Sequence, residues 1–339
     1  MTLSSQPAAA RPIAIWLSAV AALVVLMVVV GGITRLTESG LSMVRWEPVT
    51  GAVPPLTEEA WRAEFADYQA SPEYRYKNAG MSLSEYKNIY FWEWAHRLLG
   101  RIIGLAFALP LLWFWVRGQI PPGYKPRLVA LLALGGLQGV IGWWMVTSGL
   151  ADVPDVSHIR LAVHLNLAFF IIAALIWTAS DLLRGRAPLT ALASVALLGL
   201  FVQTILGAFV AGMDAGYAYA EWPTMGGHFF PAYPEWIEPA WRNLVDNPVI
   251  VQFIHRWWAF VAAALLVWLG VTAMKRGSRR TPIALKLLIV TQIGLGVMTL
   301  LSGVELWIAA THQGVAALIV WCAAACAHRI GEPAIGERT

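Results

Sequence analysis

The chain has 339 residues, of which 58% are hydrophobic and only 13% are charged, about half the charged fraction of an average soluble protein. Its formal charge is only +4, and no basic tract is interleaved with aromatic residues, which argues against a nucleic-acid partner. Apolar runs of about 20 residues, the length that crosses a bilayer, recur along the whole chain and predict a polytopic membrane protein.

Eight apolar segments are predicted to be transmembrane helices, so the predicted fold class is all-α. Each segment is long enough for a tilted helix in a lipid bilayer. Their predicted bounds are residues 13–33, 91–116, 127–148, 158–180, 189–212, 249–274, 282–302 and 306–328. Cys322 and Cys326 lie one helical turn apart in the last segment and are predicted to be small buried residues, not a disulfide.

Two long loops, residues 34–90 and 213–248, interrupt the series of apolar segments. The first loop contains helix-like stretches at Glu58–Tyr68 and Leu83–Lys87. Loops of this length are usually either functional lids or disordered linkers. Both loops are rich in Trp, Tyr and Phe, so we expect ordered lids that pack on the membrane face of the protein.

Basic residues in the short connections predict the orientation of the chain, because such residues concentrate on the cytoplasmic side. All of them fall on one side, which places the N and C termini in the cytoplasm and both long loops outside. The residues that carry this prediction are Arg11, Arg117, Lys125, Arg127, Arg184, Arg186, Lys275, Arg276, Arg279, Arg280, Arg329 and Arg338.

The chain contains an internal repeat. Each half has four spans, an even number, so both halves enter the membrane in the same orientation. This predicts a pseudo-twofold axis along the membrane normal. We therefore predict two four-helix bundles, residues 1–186 and residues 187–339, with one long outer loop in each. The matched sets are His96-Arg97 with His255-Arg256, Gln138, Gly142, Ser148 and Gly149 with Gln292, Gly296, Ser302 and Gly303, and His164 with His312.

Four histidines lie at one depth, a few residues inside the outer ends of their spans. Two facing imidazoles inside a four-helix bundle are the usual axial ligands of a haem, whereas a zinc site normally needs three or four protein ligands. For a single histidine, a satisfied polar residue lining a cavity is the simpler alternative. The four are His96 and His164 in the first half, and His255 and His312 in the second half.

The two halves differ three residues before the first histidine, where the first half has Glu93 and the second has Gln252. Residues i and i+3 of a helix share a face, so Glu93 can address the same bound group as His96. Glutamine cannot exchange a proton at useful pH, so Glu93 is a candidate acid–base group. A supporting role or an ion pair is the alternative for Glu93.

Arg97 and Arg256 follow these histidines at the outer rim. A guanidinium group there suits haem propionates, which it can bind through two parallel hydrogen bonds. Ion pairs with the acidic outer loops are the alternative. His158, His228 and His328 break the repeat, and we assign them no role.

These residues resemble the heme A synthase family, especially its branch in mitochondria and alphaproteobacteria. The resemblance covers essentially all of the predicted spans in their order. The matching stretches are Gly31-Gly32-Ile33-Thr34-Arg35-Leu36-Thr37-Glu38-Ser39-Gly40-Leu41-Ser42, the Glu93-x-x-His96-Arg97 element, the His255-Arg256 element and the two later histidines.

The resemblance implies an enzyme that oxidises a ring methyl of haem O to a formyl group, giving haem A for cytochrome oxidase, with consumption of O2 and electrons. It implies a low-spin haem b between His255 and His312, the substrate haem between His96 and His164, and Glu93 near the reacting edge. Some bacterial members carry cysteine pairs in the outer loops, and this chain has none there.

The resemblance also implies partners and a location. The protein is expected in the bacterial cytoplasmic (inner) membrane, embedded in the lipid bilayer, with its active site toward the periplasmic face. Haem O synthase is the expected haem donor, and ferredoxin or quinol the electron donor. Cytochrome oxidase assembly factors are further expected partners, and a homo-oligomer is left open.

Two other functions compete with this reading. A quinol-linked two-haem electron-transfer cytochrome explains four matched histidines, but it gives no reason for Glu93 opposite Gln252. A transporter built from two repeats fits the symmetry, but it predicts charges near the bilayer midplane. The polar candidates of this sequence lie toward one face instead.

Overall fold

The computed structural model describes residues 10–47, 50–150 and 154–333, and within these ranges it contains ten α-helices and no β-strand. Eight helices are long and apolar enough to cross a membrane, which confirms the predicted all-α class and its eight spans. Arg338, used above for the orientation, lies outside the described residues. The helices are α1 Ala10–Leu36, α2 Glu58–Gln69, α3 Pro72–Tyr76, α4 Leu83–Val116, α5 Lys125–Thr147, α6 His158–Arg184, α7 Ala191–Gly212, α8 Pro248–Lys275, α9 Arg280–Leu301 and α10 Leu306–Gly331.

The centre of the bundle is formed by α1, α6, α7 and α10, and the other four long helices flank it. In each half the first helix packs against the second, and the third against the fourth, while α1 contacts α10 and α6 contacts α7 across the middle. Small residues at these contacts let the helices approach closely, as is usual in membranes. Buried examples are Ala14, Ala21, Ala179, Ala317 and Ala324.

A polar cluster joins the two halves at the end of the bundle that is predicted to be cytoplasmic. His328 Nε2 on α10 lies 2.9 Å from Asp181 Oδ1 on α6, and Arg127 at the start of α5 pairs with the same carboxylate. His328 is fully buried, and a buried carboxylate needs partners of this kind. The structure therefore gives His328 a role as a link between helices, which the sequence analysis did not assign.

The first lid is the chain from the end of α1 to the start of α4, with α2 and α3 inside it. The helix-like stretch predicted at Leu83–Lys87 is helical, and it forms the first turns of α4. Ser82 caps α4 by accepting from Glu85 N, and the Glu85 carboxylate accepts from Ser82 N at 2.8 Å. Such a cap contributes about 1 kcal/mol, enough to start the helix well before its apolar part.

The core of the first lid is aromatic. Tyr68 of α2 stacks on Tyr86 with ring centroids 5.0 Å apart, and Trp61 meets Tyr90 edge to face. Tyr86 and Tyr90 belong to the part of α4 that extends beyond the predicted span. The aromatic residues of the loop are thus packed on each other, which confirms an ordered lid.

Glu73 of α3 is a buried carboxyl group in this lid, only 3% exposed. Burial raises its pKa from 4.5 to about 8, and the nearby charge of Glu93 acts in the same direction. Its Oε2 has no hydrogen-bond partner among the described residues. Ionisation of Glu73 is therefore unfavourable while the lid is packed.

The raised pKa predicts that the lid loses stability as the pH rises. The unfolded lid ionises Glu73 near its ordinary pKa of 4.5, whereas the packed lid resists until about 8. The protonated Glu73 carboxyl therefore contributes fully to the stability of the lid below pH 4.5, and this contribution is lost as the pH rises through about 8. Hydrogen exchange of the lid amides, corrected for intrinsic rates, should show this loss, and Glu73→Gln should remove it. Equal pH dependence in both proteins would contradict it.

Candidate functional site

The four predicted histidines form two pairs inside the bundle. His96 on α4 and His164 on α6 lie close enough for a Coulombic interaction, and so do His255 on α8 and His312 on α10. All four side chains are partly exposed rather than packed over completely. Each half thus holds two half-buried histidines on two of its helices.

Every one of these imidazoles lies against a glycine of a neighbouring helix. A Cβ atom built on that glycine would stand only 2.9 to 3.1 Å from the nearest ring atom. Real Cβ contacts are rarely that short, so a side chain in place of the glycine would force the ring to shift. The pairs are His96 with Gly31 of α1, His164 with Gly142 of α5, His255 with Gly207 of α7 and His312 with Gly296 of α9.

Glutamines accompany three of the four histidines, one helical turn before the glycine. Gln203 Nε2 lies 3.1 Å from His255 Nδ1, and Gln292 Nε2 lies 3.4 Å from His312 Nε2. Gln138 Nε2 donates to the carbonyl oxygen of His164 at 2.9 Å. Gln138 and Gln292 belong to the repeat seen in the sequence, which does not reveal their partners. Gln203 is not part of that repeat, and its one sequence signal is its position four residues before Gly207.

The donor set fits haem ligation. Nδ1 of His164 and Nδ1 of His312 have no hydrogen-bond partner in the part of the chain described here, and neither does Oε1 of the three glutamines. An iron-bound imidazole usually donates its second N–H to a carbonyl oxygen, which orients the ring and increases its basicity. At His255, turning the Gln203 amide by half a turn would place its Oε1 beside Nδ1 as that acceptor. The glycine contacts provide the space, and each half provides two nitrogen ligands.

Glu93 is only 3% exposed and is bound to the first lid. Its Oε2 accepts from Ser42 Oγ and from Met43 N, each at 2.7 Å. Its Oε1 pairs with Arg97 Nη2 at 2.6 Å, one turn along α4. Glu93 and His96 lie three residues apart on α4, as the sequence requires. The Glu93 carboxylate in addition binds the first lid.

Both rim arginines bind lid backbone in the structure. Arg97 donates to the carbonyl oxygens of Met43 at 3.0 Å and Arg45 at 3.1 Å. Arg256, only 5% exposed, does the same in the second lid, residues 213–247. Its acceptors are the carbonyl oxygens of Tyr219 at 2.8 Å, Glu221 at 2.8 Å and Thr224 at 3.1 Å.

Gln252 occupies the place of Glu93 in the second half. It is 1% exposed, and its Nε2 donates to the carbonyl oxygen of Tyr219 at 3.2 Å. The residue three places before the first histidine therefore holds the lid in both halves. Only Glu93 does so with a group that can exchange a proton.

The remaining histidines lie apart from these pairs. His158 is the first residue of α6, and its Nε2 is 3.3 Å from Asp246 Oδ1. His328 belongs to the polar cluster at the other end of the bundle. His228 is exposed in the second lid. Cys322 and Cys326 are free thiols, as predicted.

Comparison with known proteins places the chain in a family. Residues 14–324 match the cytochrome oxidase assembly protein family. A heme A synthase of Sphingopyxis alaskensis is 49% identical over 97% of this chain and 95% of its own length. One of Rhizorhabdus wittichii is 49% identical over 99% of this chain and 100% of its own, and one of Rhodospirillum centenum is 50% identical over 93% and 88%. This chain therefore belongs to the cytochrome oxidase assembly protein family, together with these heme A synthases.

Proposed function

We propose that the chain is a heme A synthase that oxidises the ring methyl of haem O to a formyl group, using O2 and electrons, and so makes haem A for cytochrome oxidase. The observation that carries this proposal is the pair of histidine sites, alike in their glycine contacts and unlike at Glu93 and Gln252. Relatives with that name cover nearly the whole chain.

The two halves divide the work. His255 and His312, in residues 187–339, would hold a low-spin haem b, which supplies one-electron transfer when bound. His96 and His164, in residues 1–186, would bind the substrate haem. Partial exposure of all four rings supports an accessible space at each pair, and the apolar flanking helices suit the haem's hydrocarbon tail.

Glu93 is the proposed acid–base group at the substrate site. Its carboxylate oxygens can take a proton close to His96, which the amide of Gln252 cannot. Protonation would weaken the Arg97 ion pair and the hydrogen bond from Met43 N, both of which favour the charged carboxylate. Proton uptake at Glu93 would therefore loosen the first lid.

The rim arginines have a double role in this proposal. Arg97 and Arg256 hold the lids through backbone carbonyls, and Nε of Arg256 is buried without a partner among the described residues. Such a free donor could meet a haem propionate. Both lids would then face the periplasm, with the termini in the cytoplasm and the pseudo-twofold axis along the membrane normal.

Partners follow from the reaction. A haem O synthase would deliver the substrate within the bacterial inner membrane, and ferredoxin or quinol would supply electrons. Cytochrome oxidase assembly factors would receive the product. The second candidate, a quinol-linked two-haem cytochrome, is favoured by one observation only, namely that both oxygens of Glu93 already have partners in the lid.

Chromatography of extracted haems should separate these two functions. Membranes that express this chain with a haem O synthase should contain haem A or its hydroxylated precursor. Glu93→Gln, which makes the first site resemble the second, should keep both haems bound and lower the yield at least about tenfold, as expected for loss of a proton-transfer group.

Two results would contradict parts of the proposal. Wild-type yields of haem A from Glu93→Gln would remove the acid–base role while keeping the enzyme. Only haem b and unreacted haem O in both samples, with a bis-histidine spectrum, would favour the electron-transfer cytochrome.

The haem b ligands can be tested through the glycine beside one of them. A Cβ on Gly296 would stand 3.1 Å from His312 Cε1, whereas one on Gly294 would meet nothing within 4 Å. Gly296→Val should therefore reduce the low-spin haem b spectrum of the purified protein at least about tenfold, the scale of effect seen when ligand support is lost. Gly294→Val, on the same helix, should leave it intact.

Removing the histidines themselves is a second test of the haem b ligands. His255→Ala and His312→Ala should each abolish the reduced low-spin spectrum. Low-spin haem retained in both substitutions would refute the ligand assignment.

A further inference from the structure

His96 differs from the other three histidines in the residue that accompanies its glycine. One helical turn before Gly31 stands Met27, where the other three sites have a glutamine. Residues four apart lie on one helix face, so Met27 occupies the position of the missing amide. The glutamine sites are Gln138 before Gly142, Gln203 before Gly207 and Gln292 before Gly296.

The ring of His96 is also turned over relative to the others. At His255, a Cβ on its glycine would be nearest to Cε1 at 3.1 Å and then to Nδ1 at 3.6 Å. At His96 the nearest atoms are Nε2 at 3.1 Å and then Cδ2 at 3.5 Å. His164 and His312 follow the pattern of His255. His96 therefore presents its Nε2–Cδ2 edge to the helix that carries Met27, whereas the other three rings present Cε1 first and Nδ1 second to the helix that carries glutamine.

The neighbouring helix makes room for Met27. Gly100 lies one turn after His96, and a Cβ built there would stand 3.4 Å from Met27 Cε. The residues one turn after the other three histidines are alanines, Ala168, Ala259 and Ala316. The methionine thus has its own packing partner, which a glutamine site does not need.

These differences have a consequence for a bound metal. A carbonyl oxygen at Nδ1–H fixes an imidazole in orientation and makes it a stronger ligand. The thioether of methionine is only a weak acceptor, so His96 lacks that support. Its Nε2 also lies against Gly31, closer to the helix than Nε2 of the other three rings.

We propose that Met27 makes His96 the dissociable histidine of the first half, so that His164 holds the substrate haem and a small diatomic ligand reaches the iron on the His96 side. The inference rests on the proposed function, because it concerns the haem bound in residues 1–186. In the second half both histidines have a glutamine, which suits a haem that keeps both ligands. Met27 is a positioning residue here, acting through His96.

Carbon monoxide is a suitable probe, because it binds reduced haem iron only where an axial ligand can leave. Protein purified from cells that also express a haem O synthase would be reduced and titrated with CO, following the Soret difference spectrum. In the wild type, haem O should bind CO and haem b should not. Met27→Gln should weaken CO binding by about 10- to 100-fold, the usual effect of a hydrogen-bonding partner on metal ligation.

Two controls show that the effect belongs to His96. Leu26→Gln introduces the same amide in the next position of α1, on a side chain that is 48% exposed, and should leave CO affinity unchanged. The low-spin spectrum of haem b reports that each variant has folded. Unchanged CO affinity in a folded Met27→Gln protein that retains haem O would overturn the inference.

If Met27→Gln does not fold, a reciprocal variant tests the same inference. Gln292→Met removes the amide beside His312, so haem b should become able to bind CO; continued resistance of bound haem b to CO would overturn the inference. Wild-type protein that contains neither haem O nor an oxidised product of it would instead refute the proposed function. Wild-type protein that contains haem O unreactive to CO would refute the inference alone.

Discussion

The arrangement of this protein depends on a steric constraint between helices. Each of the four histidines meets a glycine of a neighbouring helix, where an added Cβ would stand 2.9 to 3.1 Å from the ring and would force the ring to shift. The constraint ties α4 to α1 and α6 to α5 in the first half, and α8 to α7 and α10 to α9 in the second. It thereby sets the position of every candidate ligand.

The lids are built onto the same helices as the ligands. Arg97 and Arg256 each follow a histidine directly and bind carbonyl oxygens of their own lid. One turn earlier, the Glu93 carboxylate accepts from the backbone N–H of Met43 and the Gln252 amide donates to the carbonyl oxygen of Tyr219. A movement of either histidine helix therefore pulls on its lid, and a change of charge at Glu93 reaches the first lid without any intermediate residue.

The two halves share the contacts between histidines and glycines, and they differ at residues close to the histidines. The first half has Glu93 and Met27, and the second half has Gln252 and Gln203 at the corresponding places. Each replacement puts an amide in the second half, which holds its surroundings through neutral hydrogen bonds. The first half keeps a proton carrier and an imidazole without amide support. On the proposed function, these differences would make the first site the one that reacts and the second the one that only transfers electrons.

The sequence by itself determined the spans, the histidine pairs and the contrast between Glu93 and Gln252, because apolar length and helical spacing are local properties. It did not determine the start of α4, since the Ser82 cap rather than hydropathy sets that end. Only the tertiary structure showed that Glu93 binds Ser42 and that His328 binds Asp181. These contacts join residues far apart in the chain, and their geometry follows from helix packing, which no local pattern records.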